Sequence, residues 1–317
     1  MNEVRIRAFA KINVRLEVLG KRPDGFHELR TIFQSISLHD DLLLRRTHSP
    51  GMVLRVEGNA TLSAEPMEKN LVYRAVNLLR REMRARQGVE ILLRKKIPAG
   101  RGLGGGSSDA AAALLGYLRL CGKKVDPARL LELASSLGAD VPFFLHGGRA
   151  LGVGKGDEIY PLPDAPKRYL LVISPREIHV PTPDAYKWLD ARPLYGSPNG
   201  AGARTALTKT ANTSNIWKFC ALTWSAQGAG SSGSFANDFE GPVFLRYPRL
   251  KQLKRVLLQN GAAEASLAGS GSAVFGVFPS PATARRAAVR FPHDHTFVCE
   301  TISRRGYVRA VSGARVG

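Results

Sequence analysis

Apolar and polar residues alternate with a period of two through "VRIRAFAKINVRLEVLG", Val4 to Gly20, the pattern of a half-buried strand. The next segment, "KRPDGFHEL", is punctuated by Pro23, Asp24 and Gly25, each of which favours chain reversal. A turn is therefore expected before the strands "LRTIFQSISLHDDLLLRR" and "MVLRVEG". The period then lengthens. Residues 70–86 follow a helical repeat, "GVEILLRKKIP" returns to a strand, and residues 107–120 and 126–137 read as helices, the second with Asp126 as cap and Pro127 in its first turn. From about Ala165 the pattern restarts with "RYLLVISP" and "PTPDAYKWLD". It closes with a helix near 247–260, the segment "EASLAGSGSAVFGVF", a helix near 282–290 and a terminal strand.

Two such runs predict an α+β chain of two domains, residues 1–164 and 165–317, sharing one cleft. "YGSPNGAGARTALTKTANTSN" and "SAQGAGSSGS" are poor in large apolar residues, so an insertion near 196–234, outside the core, is expected in the second domain. No internal repeat is visible.

Composition changes this picture little: 317 residues with 44% hydrophobic and 23% charged content describe an ordinary globular chain. The net charge of +20 is compatible with a solvated basic exterior, with a site for anionic small molecules, or with nucleic acid. Lys and Arg are scattered, and no basic block alternates with aromatics, which weakens the last reading. Cys121, Cys220 and Cys299 are too widely spaced for a zinc site or a disulfide framework and are expected to be buried thiols in a reducing compartment. The N-terminus lacks a signal peptide's apolar core and no apolar run is long enough to span a bilayer, so a cytoplasmic location without a membrane partner is expected.

The chemistry concentrates in "KKIPAGRGLGGGSSDAAAALL". A glycine-rich loop that leaves a strand and enters a helix exposes backbone N–H groups at the positive end of the helix dipole, a construction suited to phosphate oxygens. Ser107, Ser108 and Asp109 are equally good helix caps. The loop is neither a Walker loop, because no Lys-Ser or Lys-Thr pair follows the last glycine, nor a Rossmann fingerprint. Two further polar residues stand out. Lys11 lies in the otherwise apolar "AFAKINV", where it is either a snorkelling lysine or a functional one. Asp140 in "GADVPFF" is either a helix cap or a functional acid.

On "PAGRGLGGGSSDAAA" and "LAGSGSAVFGVF" the chain resembles the GHMP kinases. "AFAKINVRLEVLGKRPDGFHEL", "EKNLVYRA" and "LGADVPFFLHGGRALGVGKGDEI" are similar to the branch acting on a cytidine diphosphate derivative of methylerythritol in the non-mevalonate route to isoprenoid precursors. The resemblance implies an N-terminal domain like ribosomal protein S5 domain 2, a C-terminal ferredoxin-like domain, and ATP-dependent phosphorylation of a hydroxyl between them. It carries the catalytic roles onto Lys11 and Asp140: Asp140 would accept the hydroxyl's proton while Lys11 orients it and offsets negative charge. ATP would be held by Asn70, Lys96, Pro98, Gly100, Gly102, Leu103, Gly104, Gly105, Gly106, Ser107 and Ser108, with Mg2+ whose protein ligands are unassigned. A cytidine pocket is implied at Asn13, Phe26, His27, Thr182 and Tyr186, with Phe26 and Tyr186 stacking on the base and His27 reading its edge. Phe26 stands where the family usually has tyrosine, and Arg101 where it usually has a small residue. The rival readings are another GHMP small-molecule kinase, a basic nucleic-acid-binding module on an S5-like fold and, disfavoured because both candidate catalytic residues are present, a catalytically inactive interaction protein.

Overall fold

The computed structural model describes residues 2–191, 219 and 235–312. Apart from Phe219, the expected insertion near 196–234 lies outside the described residues, as does Cys220. The chain runs through β1 (Glu3–Lys21), β2 (His27–Thr47), β3 (Met52–Glu57), α1 (Ala60–Ala64), α2 (Leu71–Glu82), β4 (Gly88–Arg94), α3 (Gly105–Cys121), α4 (Pro127–Leu137), α5 (Val141–His146), β5 (Arg149–Gly154) and β6 (Glu158–Pro161). It continues with β7 (Tyr169–Ser174), α6 (Thr182–Asp190), β8 (Ala236–Asn237), α7 (Glu240–Arg246), α8 (Pro248–Gln259), β9 (Glu264–Leu267), β10 (Val274–Phe278), α9 (Pro281–Ala288), β11 (His295–Glu300) and α10 (Arg304–Ser312).

The strands form two sheets. In the first, β1 and β2 pair antiparallel along nearly their whole length, with β4 and β5 on successive parts of the free edge of β2 and β3 parallel to β4. The second is antiparallel in the order β11-β7-β10-β9. The alternation of β1 feeds more than one core. Val4, Ile6 and Ala8 pack with α2 and α3, Ala10 and Ile12 pack with Leu103, Ala268 and Phe275, and Leu16 packs with α7 and α8. One strand therefore links the two halves, and Lys11 and Asn13 lie on it where the cores meet. The ladder is interrupted by a register shift between Phe9 and Lys11, the kind of irregularity that re-aims side chains beside a site.

Asp126 caps α4 by accepting from the Ala128 and Arg129 amides, as its sequence position requires. Three expectations need correction. The second helix stops at Glu82, short of Arg86, because Arg84 takes a positive φ of 48° that ends the helical repeat. The expected terminal strand is β11, but the chain goes on to α10, whose Tyr307 and Val311 enter the first core and whose Tyr307 hydroxyl donates to the Phe144 carbonyl at 2.6 Å. Its Arg-rich sequence has only a short apolar stripe, which a distant partner completes. Cys299 is buried, whereas Cys121 is only half-buried.

Candidate active site

A cleft of about 900 Å³, counting its open mouth, lies at the junction of the two cores. Its wall brings together Lys11, Asn13, Pro98, Gly100, Gly102, Gly104, Gly105, Gly106, Ser107, Asp140, Thr182 and Tyr186 from the expected site, together with Arg101, Gly269 and Ser270. Lys11 does not snorkel: its side chain is buried, and Nζ donates to Asn13 Oδ1 at 2.9 Å and lies 3.6 Å from Asp140 Oδ2. Asn13 is held in turn by its amide, which donates to Thr31 Oγ1 at 2.8 Å, while Thr31 donates to the Arg15 carbonyl. Asp140 precedes α5 but makes no side-chain capping hydrogen bond, so its carboxylate remains available to the cleft. Burial first, and the nearby Asp140 charge second, push the Tyr186 phenol above its usual range.

The bareness of the loop has a packing cause as well as a ligand-binding one. Gly104 caps α3 at φ +71°, and a Cβ there would lie 2.7 Å from Phe144 Cζ and 3.0 Å from Lys11 Cγ. At Gly102, with φ +79°, a Cβ would fall 1.8 Å from the Ala268 carbonyl oxygen. Side chains at these two positions would drive the loop off both Lys11 and the Gly269–Ser270 turn.

Six expected site residues are not among those lining this cleft. Leu103 is a core residue whose carbonyl accepts from the Lys11 amide at 3.0 Å, and Ser108 is buried with its hydroxyl unpartnered. Asn70 caps α2 through Oδ1 and lines a second cavity with Leu54, Val56, Leu62 and Met67, while its neighbour Leu71 lines the main cleft. Lys96 is exposed and pairs with Asp41 at 2.8 Å. Phe26 is 57% exposed at the tip of the β1–β2 turn, with Lys155 Nζ 5.0 Å from its ring centre. The base-stacking pair expected from Phe26 and Tyr186 is not preformed. Instead His27 stacks on Tyr186 at 4.5 Å, Phe239 meets Tyr186 edge-on at 4.9 Å, and His27 Nε2 lies 2.9 Å from Asp190 Oδ1.

Under the loop is a cluster that sequence reasoning missed. Lys95 Nζ donates to Asp40 and, at 2.6 Å, to Asp109, and all three side chains are buried. Asp40 also accepts from the backbone amides of Lys96 and, at 2.8 Å, Ile97, fixing the strand exit that becomes the loop. Desolvation raises Asp109 to about 8 against the opposing pull of Lys95. Desolvation also acts against a charged Lys95, but the two carboxylates outweigh it and hold the ammonium's pKa above its ordinary value. A signal existed: Val89, Ile91, Leu93, Lys95 and Ile97 share the inward parity of β4 and its extension, whereas Arg94 and Lys96 point out.

The fold and the site define a small-molecule kinase class, and the comparisons agree. The family models for the GHMP kinases N terminal domain and the GHMP kinases C terminal match residues 70–148 and 216–294, and the chain belongs to the GHMP kinase family. Within it, the chain is 44% identical to 4-diphosphocytidyl-2-C-methyl-D-erythritol kinase of Solibacter usitatus over 95% of its own length and 90% of that relative. A crystal structure of 4-(cytidine 5'-diphospho)-2C-methyl-D-erythritol kinase superposes with a TM-score of 0.74 at 35% identity, covering 94% of this chain and 99% of that one. Homoserine kinase from Cytophaga hutchinsonii shares the fold, with a TM-score of 0.69 at 21% identity over 96% and 95% of the two chains. Among the described residues no helix is long and apolar enough to cross a membrane.

Proposed function

We propose that this protein transfers the γ-phosphoryl group of ATP to the 2-hydroxyl of 4-diphosphocytidyl-2-C-methyl-D-erythritol. The observation that carries the reading is the Lys11–Asp140 pair, 3.6 Å apart in the wall of a cleft that also contains the glycine loop and the start of α3. Phosphoryl transfer needs positioning and charge stabilisation more than covalent participation by the protein. Asp140, with no cap to serve, accepts the proton of the attacking hydroxyl. Lys11, steered by Asn13, orients that hydroxyl and the carboxylate and offsets the charge that builds up on the transferred group.

The loop amides and the α3 N-terminus bind the ATP phosphates. The adenine lies toward the cavity that begins at Asn70, one residue from the cleft wall at Leu71. Asp140 is the only carboxylate among the described cleft-lining residues, and no group of three or more His, Cys, Asp or Glu that could hold a metal occurs among the described residues. Magnesium would be supplied with ATP and would offset the charge of its phosphates. Cytosine recognition falls to Phe26, His27, Thr182 and Tyr186, with Asn13 below. Asp190 holds His27 against Tyr186, so the histidine is positioned before the base arrives.

The test is incubation with Mg-ATP and 4-diphosphocytidyl-2-C-methyl-D-erythritol, with ADP and the 2-phosphate product read by mass spectrometry. Turnover of homoserine or mevalonate in place of the cytidine substrate would sink the assignment, whereas the uridine analogue is expected to be a poorer substrate.

A further inference from the structure

Arg101 lies inside the glycine loop and is part of the cleft wall. Its guanidinium is half-buried, and among the described residues no carboxylate lies within ion-pair distance of it. Nη1 donates to Ser272 Oγ at 2.8 Å and Nη2 donates to the Arg176 carbonyl at 3.2 Å. Ser272 is fixed in turn by donating to the Ile178 carbonyl at 2.6 Å, and the Ala273 amide donates to the Arg101 carbonyl at 3.2 Å. Both ends of the residue are thus tied to the second half of the chain, so the head group is oriented and cannot swing freely into solvent.

Desolvation lowers the Arg101 pKa from its ordinary value, but a guanidinium is so strong a base that it remains charged at neutral pH. A partly desolvated cation with only neutral partners lacks the counter-charge that such a group ordinarily has. Two contacts also leave a proton on each Nη and the one on Nε, in the planar array that matches phosphate oxygens. The same cleft wall offers the loop N–H groups at the α3 N-terminus, so an anion reaching Arg101 would meet both.

We propose that Arg101 is a diphosphate-binding residue, held by Ser272 and Arg176 so that its free N–H edge meets the phosphates of a nucleotide in the cleft. This rests on the kinase reading above and deepens it. The diphosphate belongs either to the ATP donor or to the cytidine-bearing acceptor, and the two sources share the same chemistry.

Calorimetric titrations separate them. Wild type, Arg101→Ala, Arg101→Lys and Ser272→Ala are each titrated with AMP, ADP and ATP, and with cytidine, CMP and CDP. Arg101→Ala should weaken diphosphates about 10- to 100-fold, the scale of a lost charge-assisted hydrogen bond, and leave AMP and cytidine nearly unchanged. A loss confined to ADP and ATP assigns the donor, and one confined to CDP the acceptor. Arg101→Lys should recover part of the loss, since it keeps the charge but not the fork. Ser272→Ala should give a smaller loss with the same selectivity, because the cation remains but its tether is gone. Equal weakening of all six ligands, or none, overturns the inference and reduces Arg101 to a structural tie. Wild-type protein that binds no diphosphate overturns the kinase reading as well, whereas diphosphate binding that survives Arg101→Ala overturns this inference alone.

Discussion

Two lysines lie beside carboxylates along the glycine loop, in opposite circumstances. Lys95 contacts both Asp40 and Asp109, the latter at 2.6 Å, with side chains no more than 4% exposed. Lys11 meets one carboxylate at 3.6 Å, and the Asp140 side chain is 34% exposed. The first cluster is closed: two acids take two of the ammonium's three N–H groups, and all three side chains are buried. The second is loose and open on the acid side, so Asp140 keeps lone pairs for an incoming hydroxyl. The same residue types serve as cement in one place and as proposed machinery in the other. Burial and partner count separate the roles.

The comparison breaks most visibly at Lys95. Lys95→Met leaves the buried Asp40 and Asp109 without their cation and should cost about 3–5 kcal/mol, a large share of a typical domain's stability, read as a lower urea midpoint. A triple variant that also carries Asp40→Asn and Asp109→Asn should regain part of that loss. Asp140→Asn should do the reverse: turnover falls about 100-fold or more, equivalent to roughly 2.7 kcal/mol of barrier, with the urea midpoint barely changed. Loss of stability without loss of turnover in Asp140→Asn would exchange the two roles.

A smaller effect is expected at Asn13, which steers Lys11 without carrying charge. Asn13→Ala should lower kcat by about tenfold, the scale of one hydrogen bond to a charged group, with little change in ATP affinity. The mildest test uses pH alone. Burial raises Asp109 to about 8 from the ordinary carboxylate range, so the folded protein keeps a proton that the unfolded chain releases in between. This contribution to stability is full below the unfolded value and is lost as pH rises through about 8. Urea midpoints should therefore fall from pH 6 to pH 9, and Asp109→Asn should flatten that slope while leaving the pH profile of turnover in place.

The features legible in the sequence were those with a local cause. Strand alternation, the Asp126–Pro127 start of α4 and the glycine loop before α3 each depend on residues a few positions apart, and each occurs where expected. The family motifs likewise carried Lys11 and Asp140 to a common cleft. The adjacent pair Lys95–Lys96 shows what such reading passes over. The motif drew attention to Lys96, but the β4 parity turns Lys95 inward and Lys96 to the surface. That phase could have been counted from Ile91 and Leu93.

Other features had no local signature. His27 lies against Tyr186 and Asp190 because β2 and α6 meet across the cleft, and neither segment encodes the other. α10 becomes a core helix only because the first half of the chain offers a site for Tyr307 beside Phe144. The sequence by itself determined the local elements, the loop chemistry and the family. The tertiary structure decided which lysine–carboxylate pair is sealed and which is open on its acid side, because a charge's role depends on what desolvates it and how many partners it has. Those partners come from chain segments far apart: Asp40 from β2, Asp109 from α3 and Asp140 from the start of α5.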